Sequence, residues 1–170
     1  RTPPRPCGLM PIVGGLAPPP GARLGSGSRA GFGRIRRVVA EVNMRVTSWA
    51  VGRALELNPA AGKAMAAAGH EVASHGWRWI SYQDVDETVE REHISRAVET
   101  IARLTGAPPA GWYSGRDSPR TRRLVVEHGG FLYDADSYAD DLPYWTEVPT
   151  REGRKPPLVG PYGLARERLR

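Results

Sequence analysis

Cysteine is nearly absent: Cys7 is the single one in 170 residues. One thiol can make neither an internal disulfide nor a thiolate zinc site, which fits a reducing, cytoplasmic setting. Long apolar runs are lacking as well. Nothing approaches the roughly 18 uninterrupted apolar residues of a membrane-spanning helix. The run Leu9–Ala17 is short and broken by Pro11, Gly14 and Gly15, unlike a secretory leader. Neither a glycine-rich phosphate loop nor a Ser-His-Asp signature is present, and no internal repeat is visible. Acidic residues are missing altogether from residues 1–37, which carry seven Arg.

That last absence explains the net charge of +6. Residues 1–37 contribute +7 and residues 151–170 contribute +4, so residues 38–150 carry −5. The basic excess therefore belongs to Pro-rich ends without interleaved aromatics, which is not the footprint of a nucleic-acid surface. We expect neither nucleic acid nor membrane as a partner. The length suits one domain, and 40% apolar residues suffice for one core.

Residues 1–28 are rich in Pro, Gly, Arg and Ser, and we expect them to be irregular or disordered. Periodicity begins at Arg29, where Phe32, Ile35, Val38, Val39 and Val42 follow helical spacing. A strand is expected over Met44–Val51, then a helical turn over Gly52–Leu57. Asn58-Pro59 caps and opens a helix that stops at Gly69. A short strand, His70–Ser74, leads into His75, Trp77, Trp79 and Tyr82. Asp84 with Glu87 resembles a capping box for a helix whose apolar face is Val89, Ile94, Val98, Ile101 and Leu104. His93 beside that face reads as a packing residue. A strand over Gly111–Ser114 follows, then a loop, then Ser118 and Pro119 opening a helix that ends at His128, a position suited to the helix dipole. Phe131–Tyr133 is one more strand, and Leu158-Val159 another. Strands alternating with helices argue a parallel α/β sheet or a barrel segment.

Three strand ends carry chemistry: His75 with Trp79, Tyr113 with Arg116, and the acidic aromatic run Asp134–Trp145. In a parallel sheet all three converge on one rim. A histidine moves protons near neutral pH. An arginine binds or polarises a carbonyl through paired donors. Aromatic walls with a few polar groups make a small-substrate pocket. The bland alternatives are a buried strand with a satisfied histidine, a surface salt bridge at Arg116, and a solvated loop at Asp140-Asp141.

The run G-H-E-V-A-S-H-G-W-R-W-I-S-Y from Gly69, with G-W-Y-S-G-R-D-S-P-R from Gly111 and D-D-L-P-Y-W from Asp140, resembles bacterial allantoinases of the polysaccharide-deacetylase superfamily. These carry a NodB-type homology domain. The likeness is dense over residues 69–145 and fainter back to Ser28. It implies a partial distorted (β/α) barrel, with a domain over residues 29–148 and an irregular basic tail over 149–170. It implies a hydrolase of non-peptide carbon–nitrogen bonds: an allantoinase opening the hydantoin ring of allantoin to allantoate in purine catabolism. His75 and Arg116 would be catalytic. Trp79, Trp112, Tyr138, Asp140 and Trp145 would bind substrate, a small cyclic amide. The superfamily's metal-dependent deacetylases place a second ligand His where this chain has Trp79, so no metal cofactor is implied. Zinc enters only if the chain is instead a polysaccharide or peptidoglycan N-deacetylase. An inactive binding remnant is a further alternative, because both ends depart from the family pattern. The acidic first-strand motif is missing, and the late motif survives as Gly160–Leu164. Homo-oligomerisation is left open.

Overall fold

The structure is a computed structural model that describes residues 30–137, Tyr144 and residues 158–159. The chain divides into two units, Arg1–Met44 and Arg45–Arg170. In the first, helix α1 spans Phe32–Glu41 and buries none of its residues. Ile35 is 67% exposed, and Val38, Val42 and Met44 are exposed as well. The helical period read from the sequence is thus real, and most of its apolar stripe is solvent-exposed, with Phe32 and Val39 half-buried.

The second unit is built from strands β1 (Thr47–Ala50), β2 (Glu71–Ser74), β3 (Gly111–Trp112), β4 (Tyr133–Asp134) and β5 (Leu158–Val159). Helices α2 (Gly52–Leu57), α3 (Pro59–Ala67), α4 (Glu87–Thr105) and α5 (Thr121–His128) connect them. Among the described residues the five strands are all parallel and lie in sequential order. Sequential parallel order is the arrangement of a (β/α) barrel arc rather than of a doubly wound sheet. The strands are shorter than their sequence patterns suggest, because the flanking residues turn away into loops.

Local chemistry sets the helix ends. The cap of α4 is Asp86, whose carboxylate accepts the Thr88 N–H at 2.8 Å, so the expected Asp84–Glu87 box is shifted by two residues. Gly106 ends α4 at φ 85°, a left-handed conformation that costs glycine little. Pro59 stands in the first turn of α3, yet the Asn58 side chain makes no cap bond. Helix α5 begins at Thr121. Ser118 precedes it by a turn, and its Oγ accepts the Arg120 N–H at 3.0 Å.

Register divides the sheet into two faces. Ala50 pairs with Ser74, Ser74 with Trp112 and Trp112 with Asp134, so along β1–β4 the even-numbered residues share one face and the odd-numbered residues the other. The even face meets the helices. Trp112 packs there with Ile94 of α4, Leu124 and Val125 of α5, and Phe131. Trp77, 1% exposed, fills the space over Gly52, where an added Cβ would overlap its ring, and the Arg96 guanidinium covers it at 4.3 Å.

The odd face is the inner face in barrel terms, and a side-chain relay crosses it. Thr47 on β1 donates to Glu71 on β2 at 2.6 Å. Tyr133 on β4 donates to the other oxygen of Glu71 at 3.1 Å. To reach it, the Tyr133 ring lies across β3 at Gly111, where any Cβ would overlap it. Glycine is required at that point by a close approach. Among the described residues, no helix is long and apolar enough to cross a membrane.

Candidate active site

His75 follows the last residue of β2, and its N–H donates to the Ala50 carbonyl on β1 at 2.8 Å. Its Nδ1 lies 2.7 Å from the Tyr113 carbonyl oxygen. A carbonyl only accepts, so Nδ1 carries the proton and Nε2 is left as the basic nitrogen. The ring stacks on Tyr113, with centroids 5.2 Å apart and planes 19° apart. Burial holds its pKa below 6.5; the Tyr113 carbonyl opposes that shift, and the nearby Arg116 charge adds to it. A neutral imidazole with a fixed tautomer is suited to accept a proton near neutral pH.

Tyr113 follows β3 and packs in turn against Trp49 of β1, at 5.4 Å between centroids. Trp49 also meets Tyr133 edge-on at 6.0 Å. An aromatic chain of Tyr133, Trp49, Tyr113 and His75 therefore crosses the inner face from β4 to the rim.

Arg116 stands on the loop after β3. Its guanidinium lies 4.6 Å over the Trp79 ring, a cation–π contact on a residue that is 56% exposed. The loops carrying the two side chains are fastened to each other. The Tyr82 N–H donates to the Arg116 carbonyl at 3.0 Å, and the Gln83 amide donates to the Asp117 carbonyl. Tyr82 is tied back to α4 through its hydroxyl, 3.0 Å from Nδ1 of His93. That contact makes His93 the packing residue its sequence position suggested. His128 is exposed at the end of α5, with Nδ1 3.0 Å from the Gly129 carbonyl oxygen.

Asp136 lies just beyond β4. Its two oxygens accept the N–H groups of Ser114 at 2.8 Å and Gly115 at 2.6 Å. Burial, opposed by those bonds and reinforced by the Asp134 charge, pushes its pKa up to about 6. Asp134, 1% exposed on the helix face, is paired with Arg122 at 3.2 Å and accepts the Asp136 N–H at 2.9 Å. Desolvation raises its pKa too.

The structure thus gathers His75, Trp79 and Arg116 on one rim, as the sequence suggested. It places Trp112 elsewhere. With 3% exposure and Ile94, Leu124, Val125 and Phe131 around it, Trp112 is a core residue and not a pocket wall. The register is the reason: Trp112 and Tyr113 are neighbours in sequence and point to opposite faces. Tyr138, Asp140 and Trp145 lie outside the described residues. From that segment Tyr144 is described, and its hydroxyl bonds that of Ser137. Sequence reasoning did not single out Trp49, Asp136 or the buried Glu90.

A deacetylase-type divalent metal would need several protein ligands. Here His75 offers a single ligating nitrogen, Nε2, and Trp79 offers no ligating atom. Asp136 is engaged by two amides, and no group of three His, Cys, Asp or Glu residues is clustered among the described residues. The described donor set does not fit such a metal.

The family model described as polysaccharide deacetylase matches residues 26–129, more than half of the chain. A Schizosaccharomyces pombe protein provisionally named a polysaccharide deacetylase is 40% identical over 150 residues, covering 81% of this chain and 47% of its own length. A Helicobacter pylori peptidoglycan deacetylase is 28% identical over 121 residues, covering 69% of this chain and 41% of its own. The solved structure of Puue allantoinase superposes with a TM-score of 0.77 at 51% identity, covering 84% of this chain and 47% of that one. The chain spans about half the length of the curated relatives it matches. With the parallel sheet, the sequential strand order and the rim after β2 and β3, these likenesses place the chain in the polysaccharide deacetylase family.

Proposed function

We propose that the chain is an allantoinase domain, hydrolysing the ring amide of allantoin to give allantoate. The observation that carries this reading is Trp79, stacked under Arg116 at the position where a deacetylase would set its second ligand imidazole. The 51% identity to Puue allantoinase supports the same choice. In this reading Nε2 of His75 takes a proton from water as its oxygen attacks the ring carbonyl carbon. The guanidinium of Arg116 stabilises the oxyanion of the tetrahedral adduct. The ring C–N bond then breaks, and the proton held on His75 passes to the leaving nitrogen. Trp79 supplies a flat apolar wall, and Tyr138, Asp140 and Trp145 are proposed as further substrate-binding residues.

A second reading, a metal-dependent N-deacetylase, is favoured by the name of the H. pylori relative. Purified chain incubated with allantoin, with and without chelator, separates the two. Chelator-resistant formation of allantoate supports the first reading. Stoichiometric bound zinc, with release of acetate from N-acetylated glycan, would replace it with the second. A folded chain that binds allantoin without turnover is a remnant that has kept its site and lost its chemistry.

A further inference from the structure

The loop that carries Arg116 is held at both ends by carboxylates that have no part in the chemistry proposed above. At the front, Asp136 receives the N–H groups of Ser114 and Gly115. At the back, Glu90 of α4, 1% exposed, receives the hydroxyl of Ser118 at 2.8 Å and that of Thr121. Those two residues are themselves joined, because the Ser118 N–H donates to Thr121 Oγ1 at 2.7 Å. Arg120 lies beside the same carboxylate, with Nε 3.8 Å from it, and its Nη2 donates to the Val85 carbonyl at 2.6 Å. The short span between the two anchors bears Arg116.

We propose that Asp136 and Glu90 are positioning residues that fix the backbone of residues 114–121 and, through it, the guanidinium of Arg116 at the rim. This rests on reading Arg116 as a substrate-binding group. A desolvated carboxylate is costly unless its lone pairs are filled. Two such groups, on different elements, are spent on one short loop. Charge-assisted bonds of this kind are short and directional, which is what a precisely aimed guanidinium needs.

The two anchors differ in donor chemistry, and that difference is testable. Backbone N–H groups can only donate. An asparagine at 136 would turn its own NH₂ toward one of them, so Asp136→Asn breaks the front anchor. Hydroxyls both donate and accept. A glutamine at 90 can therefore be satisfied, so Glu90→Gln keeps the back anchor and Glu90→Ala does not.

The experiment is amide hydrogen exchange on the full chain, paired with kinetics. Asp136→Asn and Glu90→Ala, each of which removes at least one charge-assisted bond, should speed exchange over residues 114–117 by about tenfold or more, while Glu90→Gln stays near wild type. Exchange within α4 should stay unchanged in Asp136→Asn, which separates loosening of the loop from general destabilisation. In the kinetic arm, Asp136→Asn should lower kcat/KM by roughly ten- to a hundredfold. In an Arg116→Ala background the same change should cost less than about twofold, because the two residues act through one group. Unchanged loop exchange in Asp136→Asn overturns the proposal, as does an equally large kinetic loss without Arg116. If the chain does not open allantoin, the substrate reading fails while the exchange arm still decides this one. If Asp136→Asn does not fold, the double variant Ser118→Ala/Thr121→Val removes both hydroxyls of the back anchor, and a loop that stays rigid in that variant also overturns the proposal.

Discussion

The two ends of the inner face use the same kinds of side chain for opposite purposes. Toward the strand starts, Thr47, Glu71 and Tyr133 form a closed relay in which both oxygens of the carboxylate are filled and the tyrosine is locked over Gly111. Toward the strand ends, His75 leaves one nitrogen without a partner among the described residues, and Trp79 is exposed beneath Arg116. A hydroxyl, an acid and an aromatic ring therefore do not identify a site. What distinguishes the rim is spare capacity: a basic nitrogen, a cation and an open ring face. In a parallel α/β protein that asymmetry is expected, with stability built at one end and chemistry at the other.

Substitutions should divide along the same line. The largest expected effect is His75→Ala, which should lower turnover about a hundredfold or more while leaving the thermal midpoint little changed, as removal of a proton-transfer group does. A loss within about threefold would remove His75 from the proton-transfer role. At the other end, Gly111→Ala forces the Tyr133 ring off its path to Glu71. We expect a stability loss of about 1–3 kcal/mol by denaturant titration, the usual cost of overpacking a filled site. Tyr133→Phe keeps the ring and deletes the bond to Glu71, for a smaller loss of about 1 kcal/mol. An undiminished midpoint in both variants would show that the relay carries no stability.

Much of this architecture is legible in the sequence, and the illegible parts share a cause. Helix and strand order follow from periodicity punctuated by Gly69, Gly106 and Pro59, and the His75 and Arg116 rim follows from parallel strand ends. Which face a residue takes does not follow when a strand is two residues long. Trp112 and Tyr113 look alike as candidates, and only the pairing of Trp112 with Ser74 and Asp134 sends one outward to the helices. Glu90 reads as a surface acid between Val89 and Arg91. It nevertheless stands four residues before Ile94, on the stripe that buries Ala97, Ile101 and Leu104, and that helical spacing is a signal carried by the sequence itself. Asp136 gives no such warning. Its role depends on the loop after β3 folding back to offer it two amides, a tertiary event with no local pattern. The stripe on α1 teaches the converse, since periodicity predicts an amphipathic helix and says nothing about what covers it.

The smallest predicted effect tests the electrostatics of the rim alone. His75 acts as a base only when neutral, so activity should rise with pH through its folded-state pKa, which lies below 6.5. Burial is the main cause of that depression, and Arg116 is a lesser contributor. Arg116→Gln removes a positive charge that disfavours the imidazolium, so the His75 pKa should rise and the acid limb of kcat/KM should move up toward 6.5. Absolute activity will fall as well, because a substrate contact is lost, but the position of the limb is independent of that fall. A limb displaced to lower pH would reverse the sign assigned here to the Arg116 charge at the imidazole. A limb that stays in place would assign the whole depression to burial, leaving Arg116 to act on the substrate alone.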